Sequence, residues 1–197
     1  GGDGRLEDLA FRGIMWAKTA AFLRNGLILS VFAPRTVPAV LLPVGLTLCV
    51  TLFLALYRAR YTETPPPAVA VESPFSLGSA LQFGALFTVI TVLGTVAQHV
   101  AGPLGFYAVS FAGGLVSSAS ATAMVATLVN SEHITPLVGG AAVVLSSVAS
   151  AFVILPLVWR GSSRARLVHR VSVALLWVLV AIAIGIAVNP YFLHHFA

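Results

Sequence analysis

Gly113-Gly114-Leu115-Val116-Ser117-Ser118-Ala119-Ser120-Ala121-Thr122 sets two glycines and four hydroxyls inside an otherwise apolar stretch. Hydroxyl groups can exchange hydrogen bonds with a polar solute or with a neighbouring helix, and glycines let a second backbone approach closely. A second set, Thr88, Thr91, Thr95 and Gln98, is spaced by three, four and three residues, which is one face of a helix. The third feature is Arg24, near the middle of an apolar segment, where an unpaired charge costs about 3 kcal/mol. Around a cavity these groups would hold an anion or a neutral polar solute. Arg24 would supply positive potential, and Ser117, Ser118, Ser120 and Thr122 would supply hydroxyls. The same residues also have a structural reading, because threonines bond their own helix carbonyls and small residues tighten helix contacts.

Other chemistry is disfavoured. All six carboxylates, Asp3, Glu7, Asp8, Glu63, Glu72 and Glu132, lie outside the apolar spans, so neither a metal site nor an acidic proton relay is expected at membrane depth. There is no Gly-x-Ser-x-Gly, no His-Glu-x-x-His and no aspartate pair, so the chain reads as neither an enzyme nor a cofactor protein. His99, beside Gly102-Pro103, reads as an interfacial residue, and His194-His195 as a tail. Cys49 reads as a small packing residue.

The elements that must position these groups are membrane helices. The chain is 58% hydrophobic and only 9% charged, with a mean hydropathy of +0.98, far from the quarter or so charged in soluble domains. Long continuous apolar runs predict an all-α, polytopic transmembrane bundle in one domain, 1–197, with about six segments. These are 13–32, 38–57, 77–100, 106–129, 137–159 and 171–188, with a Pro-rich linker at 62–73. Segments four and five both carry small faces, so Gly113, Gly114, Gly139 and Ser147 are expected to pack them together. The net charge of +5 sits mostly at segment ends, where it orients helices in the bilayer, and no nucleic-acid partner is implied.

Arg58 and Arg60 follow segment two, while Arg160, Arg164, Arg166 and Arg170 lie between five and six. Three full crossings would place these basic loops on opposite sides, against the tendency of basic loops to share the cytoplasmic side. Six full spans is the simpler reading. The other breaks segment four or makes it re-entrant, as glycines and hydroxyls allow inside a protein-lined cavity.

The charged first helix closed by Ala33-Pro34, the arginine-ended second helix, Ser73-Pro74-Phe75-Ser76-Leu77-Gly78-Ser79-Ala80-Leu81-Gln82-Phe83 and Leu104-Gly105-Phe106-Tyr107 with Gly113-Gly114-Leu115 form a familiar order. It resembles the C-terminal membrane domain of unknown function found in MgtC/SapB-type bacterial proteins. The resemblance covers most of 13–160 and implies a multi-pass protein of the bacterial inner membrane. It also implies a transporter or transport regulator, with upstream helices that fit the abrupt start here, and an arginine at the place of Arg24. Acidic residues common after Gly114-Leu115 in that domain are replaced here by Ser117, Ser118 and Ser120, which argues against a cation site in that run. The other function class is a structural or regulatory membrane module, packed against upstream helices or a second copy.

Overall fold

The computed structural model describes residues 2–57, 77–161 and 165–196. The expected linker at 62–73 lies outside them. Helix α1 (Gly2–Phe32) leads through a 3₁₀ turn (Pro34–Thr36) into α2 (Val37–Tyr57). Then come α3 (Leu77–Asn130), α4 (Pro136–Phe152), α5 (Ile154–Gly161) and α6 (Ala165–Phe196). No strand forms among the described residues.

Four stretches are long and apolar enough to cross a membrane: Pro34–Tyr57, Leu77–Asn130, Pro136–Arg160 and Arg166–Asn189. This corrects the expectation of six segments. The first expected segment belongs to α1, where Lys18, Arg24 and Asn25 make it less apolar than the four stretches that qualify. The third and fourth fall within the single long α3, which is interrupted twice.

Those interruptions shape the bundle. Gly102 has φ 58° and ψ −148°, a conformation open to glycine alone, and Pro103 then starts a new helical limb without needing its missing N–H. The chain reverses there. A Cβ on Gly105 would lie 2.5 Å from the Ala97 carbonyl oxygen, although eight helical residues would separate them by about 12 Å. The second interruption is Ser117, extended at φ −156° and ψ 101°. Here too the chain doubles back, since a Cβ on Gly113 would meet the Ala121 methyl at 3.5 Å. The helix α3 is therefore three limbs, 77–101, 103–116 and 118–130. At 1.5 Å per residue the last two are about 20 Å long, short of the roughly 30 Å hydrocarbon thickness.

The contacts at the two ends of the bundle fix its topology. At one end Tyr57 shares a groove with His169 and Arg170, and Arg170 donates to Asp8 at 2.6 Å. At the other, the Asn130 amide donates to the Phe32 carbonyl, Asn189 donates to the Ala39 carbonyl at 3.1 Å, and Gln98 and His99 share a cleft with Leu128 and His133. The Tyr57 end of α2 and the Arg170 end of α6 thus lie together, and the simpler reading of three full crossings between them does not hold. Limb 77–101 and α4 make the two traverses, while limbs 103–116 and 118–130 leave and return to the same end.

Helix α6 runs antiparallel to α2 and touches it closely at Gly185, where a Cβ would stand 2.6 Å from the Pro43 nitrogen. Its other side, with Leu176, Trp177 and Ile184, is exposed. Cys49 is exposed on α2 rather than buried. An apolar residue type of small volume carries no signal for which side of a helix it occupies.

Candidate functional site

The buried stripe of α1 is Glu7, Phe11, Met15, Lys18, Phe22, Asn25 and Leu29, spaced by four, four, three, four, three and four. Glu7 stands at its beginning, and two polar residues, Lys18 and Asn25, lie within it. Lys18, 8% exposed, donates to the Ser150 carbonyl at 2.7 Å and to the Ser150 hydroxyl at 3.3 Å. Asn25, 3% exposed, places its amide nitrogen 3.4 Å from the Ser147 hydroxyl, while its Oδ1 is buried without a partner.

These groups lie at a boundary between two apolar clusters. Phe11, Met15, Ala151 and Val171 belong to one, and Phe22, Leu29, Met124 and Val143 to the other. Between them α1 contributes Lys18, and α4 contributes Ser146, Ser147 and Ser150. Such a layer persists in an apolar interior only because each group finds a partner or a polar occupant.

The break in α3 reaches the same layer. Gly114 lies against the Ser146 backbone, where an added Cβ would come 2.6 Å from the Ser146 Cα. Three residues on, Ser117 caps the limb 118–130: its hydroxyl accepts from the Ser120 N–H at 3.2 Å and lies 3.0 Å from the Ser120 hydroxyl. The extended backbone and this bond to the third residue of the following helix are what an N-cap requires. Ser118, Ser120 and Thr122 are buried, and the Thr122 hydroxyl is spent on the Ser118 carbonyl at 2.8 Å. Ser110 is fully buried with its hydroxyl unpartnered. The site thus combines one ammonium, an amide and serine hydroxyls around a helix break, and none of its described side chains is acidic.

The sequence-derived residues divide. Ser117, Ser118, Ser120 and Thr122 sit at the break, and Gly113, Gly114, Gly139 and Ser147 make close contacts. Gly139 faces Val129 and Val125 and Gly114 seats on Ser146, so segments four and five do pack together, whereas Gly113 faces Ile90 of limb 77–101 and Ser147 reaches Asn25 of α1 instead. Arg24 is exposed on α1, off the buried stripe, and its neighbour Asn25 is the residue that reaches α4. Thr88, Thr91 and Thr95 donate to the carbonyls of Gly84, Phe87 and Thr91, respectively, at 2.7–2.9 Å. Of that stripe, Thr95 and Gln98 reach the end cleft and Thr88 is exposed. Lys18 and Asn25 escaped the sequence reading although their signal was present: they complete the apolar spacing from Phe11 to Leu29, and Arg24 does not.

Among the described residues no group of three or more His, Cys, Asp or Glu side chains comes together. A family model described as a domain of unknown function (DUF4010) matches residues 3–161. Comparison with curated proteins and with solved structures gives no match.

Proposed function

Because the chain belongs to the DUF4010 family, whose description assigns no activity, we propose its role from its own residues: a membrane transport domain that passes a small anion or neutral polar solute by the Ser117 break. The observation that carries this reading is the break itself. Two limbs too short to span fold back on each other at Ser117, and the first of them seats Gly114 on Ser146, one turn along α4 from the Ser150 that receives the buried Lys18 ammonium. Broken helices serve transporters because the freed backbone groups and the positive end of a half-helix face the solute instead of lipid. The ammonium of Lys18 takes the part that the sequence assigned to Arg24. On the resemblance described above, the membrane is the bacterial inner membrane and the wider protein is of the MgtC/SapB type.

Flux into proteoliposomes, with chloride, nitrate, phosphate and glycerol as probes, tests the proposal. Lys18→Met is expected to lower anion flux at least about tenfold, since a unit charge 4 Å from an anion is worth about 4 kcal/mol at an effective dielectric of 20. The fold should survive, because methionine keeps the side-chain length and removes the cost of burying a charge, at the expense of about 1–2 kcal/mol for the Ser150 acceptors it leaves without a donor. Anion flux unchanged in Lys18→Met would remove Lys18 from the path, and no flux of any probe would favour the second reading.

That second reading is a structural or regulatory module. The seating of Gly114 on Ser146 and the exposed Leu81, Val89, Val92 and Val96 of limb 77–101 favour it, because they leave an apolar face for upstream helices or a second copy to cover.

A further inference from the structure

We propose that His99 and His133 form a binding site for a borderline divalent cation of the Zn²⁺ or Co²⁺ class, at the end of the bundle where limbs 77–101 and 118–130 meet. This does not rest on the transport reading. The two imidazoles come from positions 34 residues apart, yet line one cleft of about 240 Å³ together with Thr95, Gln98 and Leu128. His99 is exposed, and its side chain makes no hydrogen bond among the described residues.

The ring of His133 is held in the form a metal needs. Its Nδ1 lies 3.0 Å from the Ser131 carbonyl oxygen, which can only accept, and 2.9 Å from the Ser131 hydroxyl. That hydroxyl spends its own proton on the Thr127 carbonyl at 2.9 Å, so it too presents a lone pair to the ring. Both neighbours place the hydrogen on Nδ1 and leave the lone pair on Nε2. A backbone carbonyl holding the far ring nitrogen is the usual outer support of a metal-bound histidine.

The turn that carries this ring is firmly built. The N–H of His133 donates to the Leu128 carbonyl at 3.0 Å and that of Glu132 to Val129 at 3.1 Å, the paired bonds of a Schellman helix end. Glu132 occupies its left-handed position at φ 59°, where glycine is favoured. The Gln98 side chain adds an oxygen that is buried without a partner. Two imidazoles with a neutral amide oxygen suit Zn²⁺ or Co²⁺, with water completing the shell. Mg²⁺ and Ca²⁺ prefer carboxylates and other oxygens, and no carboxylate lines the cleft.

The test is a Co²⁺ titration of the full chain in detergent, read by ligand-field absorption. One Co²⁺ per chain is expected, displaced by Zn²⁺ and not by Mg²⁺. His99→Gln and His133→Gln should each weaken binding about tenfold or more and the double variant should abolish it. Both rings are exposed, so these variants are expected to melt at the wild-type temperature. A His194→Gln/His195→Gln variant should bind as wild type. The proposal is overturned if the wild type binds no Co²⁺, if binding survives in the double variant, or if only the tail variant loses it.

Discussion

Gly114→Ala is expected to lower the stability of the bundle by about 1–3 kcal/mol or more. The new methyl carbon would fall against the carbonyl oxygen of Ser146, 2.6 Å from its Cα and 2.8 Å from its carbonyl carbon. All three are backbone atoms of α4, so no side chain can rotate away. Either limb 103–116 lifts off α4, exposing the polar layer, or α4 bends. Gly84→Ala is the matched control, because a Cβ there meets nothing within 4 Å. It should be neutral or stabilising by up to about 1 kcal/mol from helix propensity. Unfolding of both variants in the same detergent measures the difference, and equal stabilities would mean that limb 103–116 does not seat on α4.

The largest functional effect is expected from replacing Ser117, Ser118 and Ser120 together by alanine. Volume hardly changes, so the close contacts survive. The lost cap at Ser117 costs about 1 kcal/mol, well below what unfolds a domain. What disappears is the hydroxyl cluster at the break, including the Ser117–Ser120 contact at 3.0 Å. Solute flux into proteoliposomes should fall to background while the melting temperature drops by only a few degrees. Undiminished flux in the triple variant would sink the transport reading of the break.

Much of the architecture is legible in the chain. Gly102-Pro103 announces a reversal, since glycine alone takes that combination of φ 58° and ψ −148° and proline starts the next limb. The glycines and serines of segments four and five announce their contact, which Gly139 and Gly114 make. Two properties are not legible from composition. The first is direction around a helix: hydropathy averages over a window, so Arg24 and Asn25 look alike until the stripe from Phe11 to Leu29 is traced. The second is depth. A run such as 106–129 is long enough to span, and nothing in its hydropathy tells that Ser117 will prefer an extended backbone and cap a new limb. That choice goes with the Ser117 hydroxyl capping the Ser120 N–H and with Gly114 seating on Ser146 just before the break. The charge pattern carries the missing information, because Arg58 and Arg60 in the sequence after α2 and Arg160, Arg164, Arg166 and Arg170 around the start of α6, if they belong on one side, require an even number of traverses between them.

That topology is the central claim, and sided thiol labelling tests it most directly. Single cysteines at Tyr57, Arg166 and Glu132, in a Cys49→Ser background, report on exposed positions at the two ends of the bundle. With a membrane-impermeant reagent, Tyr57→Cys and Arg166→Cys are predicted to react from one side of the membrane and Glu132→Cys from the other. Reaction of Tyr57→Cys and Arg166→Cys from opposite sides would mean that segment four crosses completely, and would contradict the fold-back at Ser117.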